Sequence, residues 1–109
     1  MYRLYYMSSA RPDLEKVEVN RMVAAAALKN ALLNITGAIA YDGERFAQIL
    51  EGEKNDVTDL MDTIRADNRH SGIVIMAEKP VDRRIYDGWG MKHMDSLIFD
   101  DFETAMADA

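Results

Sequence analysis

The chain is expected to fold as an α+β domain, a ferredoxin-like β-α-β-β-α-β arrangement with an added fifth strand and two helices packed on one face of a mixed sheet. Three observations predict this. Short runs with a period of two alternate with two longer stretches whose apolar residues recur every three or four positions. Asp42-Gly43 is a two-residue turn signal between two of the short runs, which makes them a hairpin. The 109 residues are enough for one domain with its own core, and no more.

The first strand is read over Tyr2 to Ser8 from its aromatic residues, with Leu4, Tyr6 and Ser8 on one face and Tyr5 and Met7 on the other. After a loop through Ser9 to Asp13, with Pro12 or Asp13 near the helix start, a helix is expected from Leu14 to about Leu32. The run Ala24 to Ala27 has the highest intrinsic helix propensity, and Val19, Met22, Val23, Ala26 and Asn30 fall on one stripe. Ile35 to Tyr41 and Arg45 to Gly52 are the hairpin strands; Phe46, Gln48 and Leu50 share a face of the second. A second helix is expected from about Asp56 to Ala66, capped by Asn55 or Asp56, with Val57, Leu60, Met61 and Ile64 as its apolar stripe. Asp67 to Gly72 ends it. Ile73 to Ala77 reads as the fourth strand, and Pro80 closes it. Val81 to Gly88 is charged and irregular, Trp89-Gly90-Met91 opens a short fifth strand, and Leu97 to Ala107 has the pattern of a weak helix. The division is therefore a domain over 1–94 and an acidic tail or short helix over 95–109.

Composition narrows the function. There is no cysteine, which excludes a disulfide framework, a zinc–thiolate or iron–sulfur centre and a Cys nucleophile, and fits a cytoplasmic setting. No apolar run reaches the about 20 residues of a membrane helix, and the N-terminus has no signal-peptide pattern. The net charge is −6; five of the 19 acidic residues and none of the 13 basic ones lie in residues 95–109. The body is nearly neutral and offers no basic face for nucleic acid. The sheet face away from the helices, with Tyr5, Met7, Ile73 and Ile75, is too apolar to lie bare. It is expected to pack on the tail or to form a homodimer through that open face.

Three neutral polar side chains point into the space between sheet and helices: the phenol of Tyr6, the amide of Gln48 in mid-strand, and the amide of Asn30 on the inner helix stripe. Taken singly, each is most simply a satisfied core polar group. Together they suit a planar heterocycle with several donor and acceptor positions better than a metal or a charged substrate. Arg65, Asp67, Arg69 and His70 cluster where the second helix ends, and Lys29 stands beside Asn30; these bases could meet a pyrophosphate at the pocket mouth, or simply form a solvated helix end.

Five ordered blocks resemble the BLUF domain, a blue-light sensor that uses a flavin: Arg3-Leu4-x-Tyr6-x-Ser8; Asn30 with Ile35-Thr36-Gly37; Phe46-x-Gln48-x-Leu50-Glu51-Gly52; Asp67-x-Arg69-His70; and Arg84-x-Tyr86-x-x-Trp89-x-Met91. The resemblance runs from about Tyr2 to Met94. It implies FAD bound without a covalent link, its ring between the two helices. It implies that Tyr6 is the photochemical electron and proton donor, and that Gln48 bridges Tyr6 to the flavin and rearranges after excitation. Asn30, Gln48, Lys29, Val23, Arg65, Asp67, Arg69 and His70 are the implied cofactor-binding residues, and Trp89 and Met91 the implied signal relay. Tyr86 departs from the Phe usual in the family, and Thr63 from a longer basic residue of some members. The chain would be a short single-domain sensor or a piece of a longer one, signalling to a protein partner without enzymatic turnover of its own. Two other readings remain on the same fold. One is an interaction domain that binds no flavin, which a colourless preparation refusing added FAD would mark. The other is an acylphosphatase-like hydrolase built on Arg11, which an acyl phosphate assay would reveal.

Overall fold

The computed structural model describes residues 1–94 and 99–107. Along the chain run β1 (Tyr2–Ala10), α1 (Lys16–Leu32), β2 (Thr36–Tyr41), β3 (Arg45–Gly52), α2 (Lys54–Arg65), β4 (His70–Pro80), β5 (Lys92–Met94) and α3 (Phe99–Ala107). The five strands lie in the order β4-β1-β3-β2-β5. All neighbours are antiparallel except β2 and β5. This is the mixed sheet the element order predicts. Alternation divides the central strand β3 between two cores. Phe46 and Leu50 join Leu4, Tyr6 and Ile39 under α1 and α2. Ala47 and Ile49 join Tyr5, Ala38 and Ala40 under α3, where Phe102 and Met106 are buried.

Several local expectations shift. The first helix starts at Lys16, two residues later than expected, because Leu14 is buried ahead of it and Glu15 takes the cap position without a side-chain bond. The second starts at Lys54 with Glu53 as cap, so Asn55 and Asp56 lie inside its first turn. The hairpin turn centres on Gly43-Glu44. Asp42 accepts the Glu44 and Arg45 N–H groups at 2.9 and 2.7 Å, and Gly43 takes a φ of +97° that favours glycine. The fourth strand is longer than the apolar run Ile73 to Ala77. Its ends are paired to β1 through backbone, and two register shifts let its polar start follow the same edge. Trp89 and Met91 precede the fifth strand instead of opening it.

One correction concerns the face away from α1 and α2. Ile73 and Ile75 do not belong to it: Ile75 pairs with Tyr6, cross-strand partners share a face, and both isoleucines pack on the α1–α2 core. The expectation that this face packs on the tail holds over β1 and β3, where α3 packs across it. Val74 of β4 stays exposed beside it. Residues 95–98, 108 and 109 of the expected tail lie outside the described residues.

On the α3 side the core contains an ion pair. Arg3 and Glu51 are 1% and 0% exposed, and Arg3 Nε donates to Glu51 Oε2 at 2.9 Å. Thr36 Oγ1 and the backbone N–H groups of Ile85 and Tyr86 also donate to the carboxylate, at 3.2, 2.8 and 2.9 Å. Arg3 donates onward to the carbonyls of Ala105 in α3 and Arg83 in the β4–β5 loop, at 2.9 and 3.1 Å. Arg84 secures the same loop through Thr36 and the carbonyls of Glu51 and Asn34. Removing one partner of such a pair leaves a buried charge uncompensated. Glu51→Ala is therefore expected to lower stability by about 3–5 kcal/mol in urea denaturation; an unchanged midpoint would show that the pair does not hold the fold.

Candidate functional site

A cleft opens between α1 and α2, floored by β1, β2 and β3. The space between its atoms comes to about 580 Å³ when the open mouth is counted. Met22, Val23 and Ala26 form one wall and Leu60 and Ile64 the other; Ile39 and Phe46 are on the floor. The helix stripes predicted from spacing are these walls. A flat floor between two apolar walls is a slot, and its polar groups enter at few points.

The deepest of them form a chain. Tyr6 and Gln48, 1% and 6% exposed, are direct partners in the β1–β3 pairing, so both side chains emerge side by side on the cleft face. The Tyr6 hydroxyl donates to Gln48 Oε1. Gln48 Nε2 in turn donates to Met91 Sδ at 3.5 Å. A thioether is a weak acceptor, so the amide is held firmly at its oxygen and loosely at its nitrogen. Burial first, and the Asp67 charge second, hold the Tyr6 phenol well above its ordinary value of 10.0. Tyr6 is therefore a protonated donor at any ordinary pH.

Met91 reaches the cleft because the segment before it is pinned. Asn30 Nδ2 donates to the Gly90 carbonyl at 3.0 Å, and the Trp89 carbonyl accepts from Gly37 N–H at 3.0 Å. Gly90 lies so close to α1 that a Cβ there would stand 2.2 Å from the Ala27 carbonyl oxygen; only glycine fits. With Gly90 against the helix, Met91 turns inward and is buried. Trp89 is left outside, 50% exposed, with the Lys92 ammonium 5.2 Å over its ring.

His70, at the start of β4, lies between Ser8 and α2. Its Nε2 is 3.1 Å from the Ile64 carbonyl and its Nδ1 2.8 Å from Ser8 Oγ. A carbonyl only accepts, so Nε2 carries the proton and, in the neutral ring, Nδ1 accepts from the Ser8 hydroxyl. Burial pushes the imidazole below its ordinary 6.5; Asp67 and the Ile64 carbonyl oppose this, and Arg69 adds to it. Beside it, Asp67 accepts from Arg69 N–H at 3.0 Å, from Arg69 Nε at 2.9 Å and from Nη2 at 2.5 Å. The Arg69 fork, with help from its backbone, holds the Asp67 carboxyl below the usual carboxylate range against the effect of burial.

Among the residues singled out in the sequence, Tyr6, Val23, Asn30, Gln48, Asp67, Arg69, His70 and Met91 line this cleft. Lys29 lies outside it, on an adjoining groove. Arg65 is not brought in: one position beyond Ile64 on α2, it turns to solvent and stands 4.0 Å from Asp62. Trp89 is not brought in either. Arg11 is tied at the surface to Asp13 and Glu18, at 2.7 and 3.0 Å, so the loop after β1 presents no free anion-cradling arginine. Tyr86 is buried on the opposite side of the sheet against Phe102, its phenol pushed up to about 12 by burial and then by Glu51 and Asp101. The Ser8–His70 bond escaped the sequence reading, although both residues stand in the quoted blocks.

The residues fit a planar heterocycle. The walls are apolar and lie on both sides of a slot, and the convergent groups are neutral amides, a phenol, a neutral imidazole and the mutually paired Asp67 and Arg69. Among the described residues no cluster of three or more His, Asp or Glu could hold a metal ion, and no helix is long and apolar enough to cross a membrane.

Comparison with known proteins covers the stretch of chain that builds this cleft. The family model described as sensors of blue light using FAD matches residues 1–92. The photoactivated adenylate cyclase subunit beta of Euglena gracilis is 33% identical over 99 residues, covering 87% of this chain and 12% of that protein. The chain thus spans about a tenth of the length of such curated relatives. Among solved structures, Klebsiella pneumoniae BlrP1 in complex with manganese and cyclic diGMP aligns with a TM-score of 0.81 at 33% identity, over 86% of this chain and 24% of that one. BlrB, described as a BLUF protein in its dark state, aligns with a TM-score of 0.83 at 28% identity, over 95% and 82%.

The buried imidazole makes stability depend on pH. In the unfolded chain His70 takes a proton as pH falls through 6.5; in the folded chain it resists until a lower pH. Its contribution is whole above about pH 6.5 and is lost progressively below it. Urea midpoints measured from pH 7.5 to 5 are expected to fall in the wild type and to fall less in His70→Gln. Parallel curves would assign the acid sensitivity elsewhere.

Proposed function

This chain belongs to the BLUF family of sensors of blue light using FAD, and we propose that Tyr6, Gln48 and Met91 form its light-driven hydrogen-bond switch. The observation that supports this reading most directly is the unbroken path from the Tyr6 hydroxyl through the Gln48 amide to the Met91 sulfur. Held in the slot, the flavin supplies absorption of blue light and, once excited, an acceptor for one electron. Asn30, Val23, Asp67, Arg69 and His70 are the residues placed to hold the ring, with Lys29 at the entrance.

Tyr6 is suited to give an electron because its proton already has somewhere to go. Its surroundings disfavour a bare phenolate, so electron and proton leave together, the proton along the existing bond toward Gln48 Oε1. The carboxamide of Gln48 has nearly the same shape with oxygen and nitrogen exchanged. Turned about its last torsion, it presents an oxygen to Met91 in place of an N–H. The thioether cannot donate, so Met91 loses its hydrogen bond. Met91 stands directly before β5, on the loop that also carries Arg84 and Tyr86, and so links the switch to the sheet edge and to α3.

The output reaches an effector protein or an attached domain through β5, the β4–β5 loop and α3. The Euglena gracilis relative is a photoactivated adenylate cyclase subunit of which this chain covers 12%, which supports an effector as the recipient. The domain itself acts as sensor, without turnover.

The test is an absorption spectrum of the flavin-loaded protein in darkness, after blue light and during recovery. A small reversible red shift is expected in the wild type, and none in Tyr6→Phe or Gln48→Ala at equal flavin content. A shift that persists in Tyr6→Phe would remove that residue from the photochemistry.

A further inference from the structure

The cleft continues outward into a second groove between the same helices. On α1, residues 22, 26 and 30 line the deep cleft, while Arg21, Ala25 and Lys29, each one position earlier and so about 100° around the helix, line the lip. Thr63 of α2 forms the facing side. The other lip cation, Arg69, is already matched by Asp67, which takes both its Nε and its Nη2. Arg65, the further base expected near the mouth, points away. Arg21 and Lys29 differ from both: among the described residues, no carboxylate lies within ion-pair distance of either. In a chain of net charge −6, the entrance to the site thus keeps two unmatched cations.

We propose that Arg21 and Lys29 form a phosphate-binding lip, which takes the phosphate group on the side chain of a flavin nucleotide whose ring lies in the cleft. This rests on the flavin reading given above and adds to it the end of the ligand that the lip selects. The two Cα positions are about 12 Å apart along the helix, and both side chains are long enough to converge on an anion above Ala25, whose methyl group leaves room. Arginine offers a fork to two phosphate oxygens and lysine a mobile point charge. Both are exposed, so their attraction is modest and screened by salt.

The experiment is a set of binding titrations in the dark, using flavin-free protein with riboflavin, FMN and FAD at about 50 mM and about 1 M sodium chloride. The wild type is expected to prefer FMN and FAD over riboflavin by roughly fivefold at low salt. That preference should shrink toward one at high salt, and also in the double variant Arg21→Gln, Lys29→Gln at low salt. Equal wild-type affinity for riboflavin and FMN at low salt would overturn the lip, and so would a preference indifferent to both salt and the substitutions. The wild-type salt series needs no variant to fold. If no flavin binds at all, the flavin reading itself fails and the lip falls with it; if riboflavin binds as well as FMN, only the lip falls.

Discussion

Glu51 carries a carboxylate shut away from water, and four donors from three parts of the chain converge on it. One comes from Arg3 on β1, one from Thr36 on β2, and two from the backbone of the β4–β5 loop. A buried charge costs several kcal/mol unless its surroundings meet it fully, so none of these four donors, drawn from three parts of the chain, can leave cheaply. Arg3, held by the same ion, spends its remaining N–H groups on the α3 backbone and on the loop. One ionised group therefore fixes three strands, an irregular loop and the helix that closes the second core. It lies three residues from Gln48, on the other face of the same strand.

That position explains how a loop without regular structure can set a side chain in a binding site. The β4–β5 loop is held near one end by Glu51 and Arg84 and near the other by Asn30 and the α1 backbone. Between these anchors little slack remains, and Met91 enters the cleft as a result. On the proposed function, a turn of the Gln48 amide acts at one end of a segment whose other end touches α3. The coupling then needs no long path, only a short loop tied to both faces of one sheet.

Much of this was legible in the sequence, for stated reasons. Period-two alternation puts Tyr6 and Gln48 on the helix side, and helical spacing puts Val23, Ala26 and Asn30 opposite them; both periods are properties of the backbone itself. Trp89 and Met91 were legible as a pair but not by direction. Which one turns inward depends on Gly90 packing against Ala27, a contact between segments over sixty positions apart. Arg65 shows the converse limit. A charge near a helix end looks like a site residue, yet one step of 100° beyond Ile64 carries it to solvent. Alternation within β4 does not tell which face Ile73 and Ile75 take, because the register of β4 against β1, with its two shifts, is not written in β4 alone. The charges of Arg3 and Glu51 inside otherwise apolar strands were the available signal for the buried pair; their geometry was not.

The division of β3 between two cores also bears on how such a domain can change over evolutionary time. Phe46, Gln48 and Leu50 serve one core and Ala47, Ile49 and Glu51 the other. Loss or gain of a single codon within this strand would exchange the two sets, placing a carboxylate in the cleft and an amide beneath α3. The binding face and the α3 face would be lost in the same event. The exposed turn around Gly43 has no such double duty, so length variation has room there and almost none in the strand that follows.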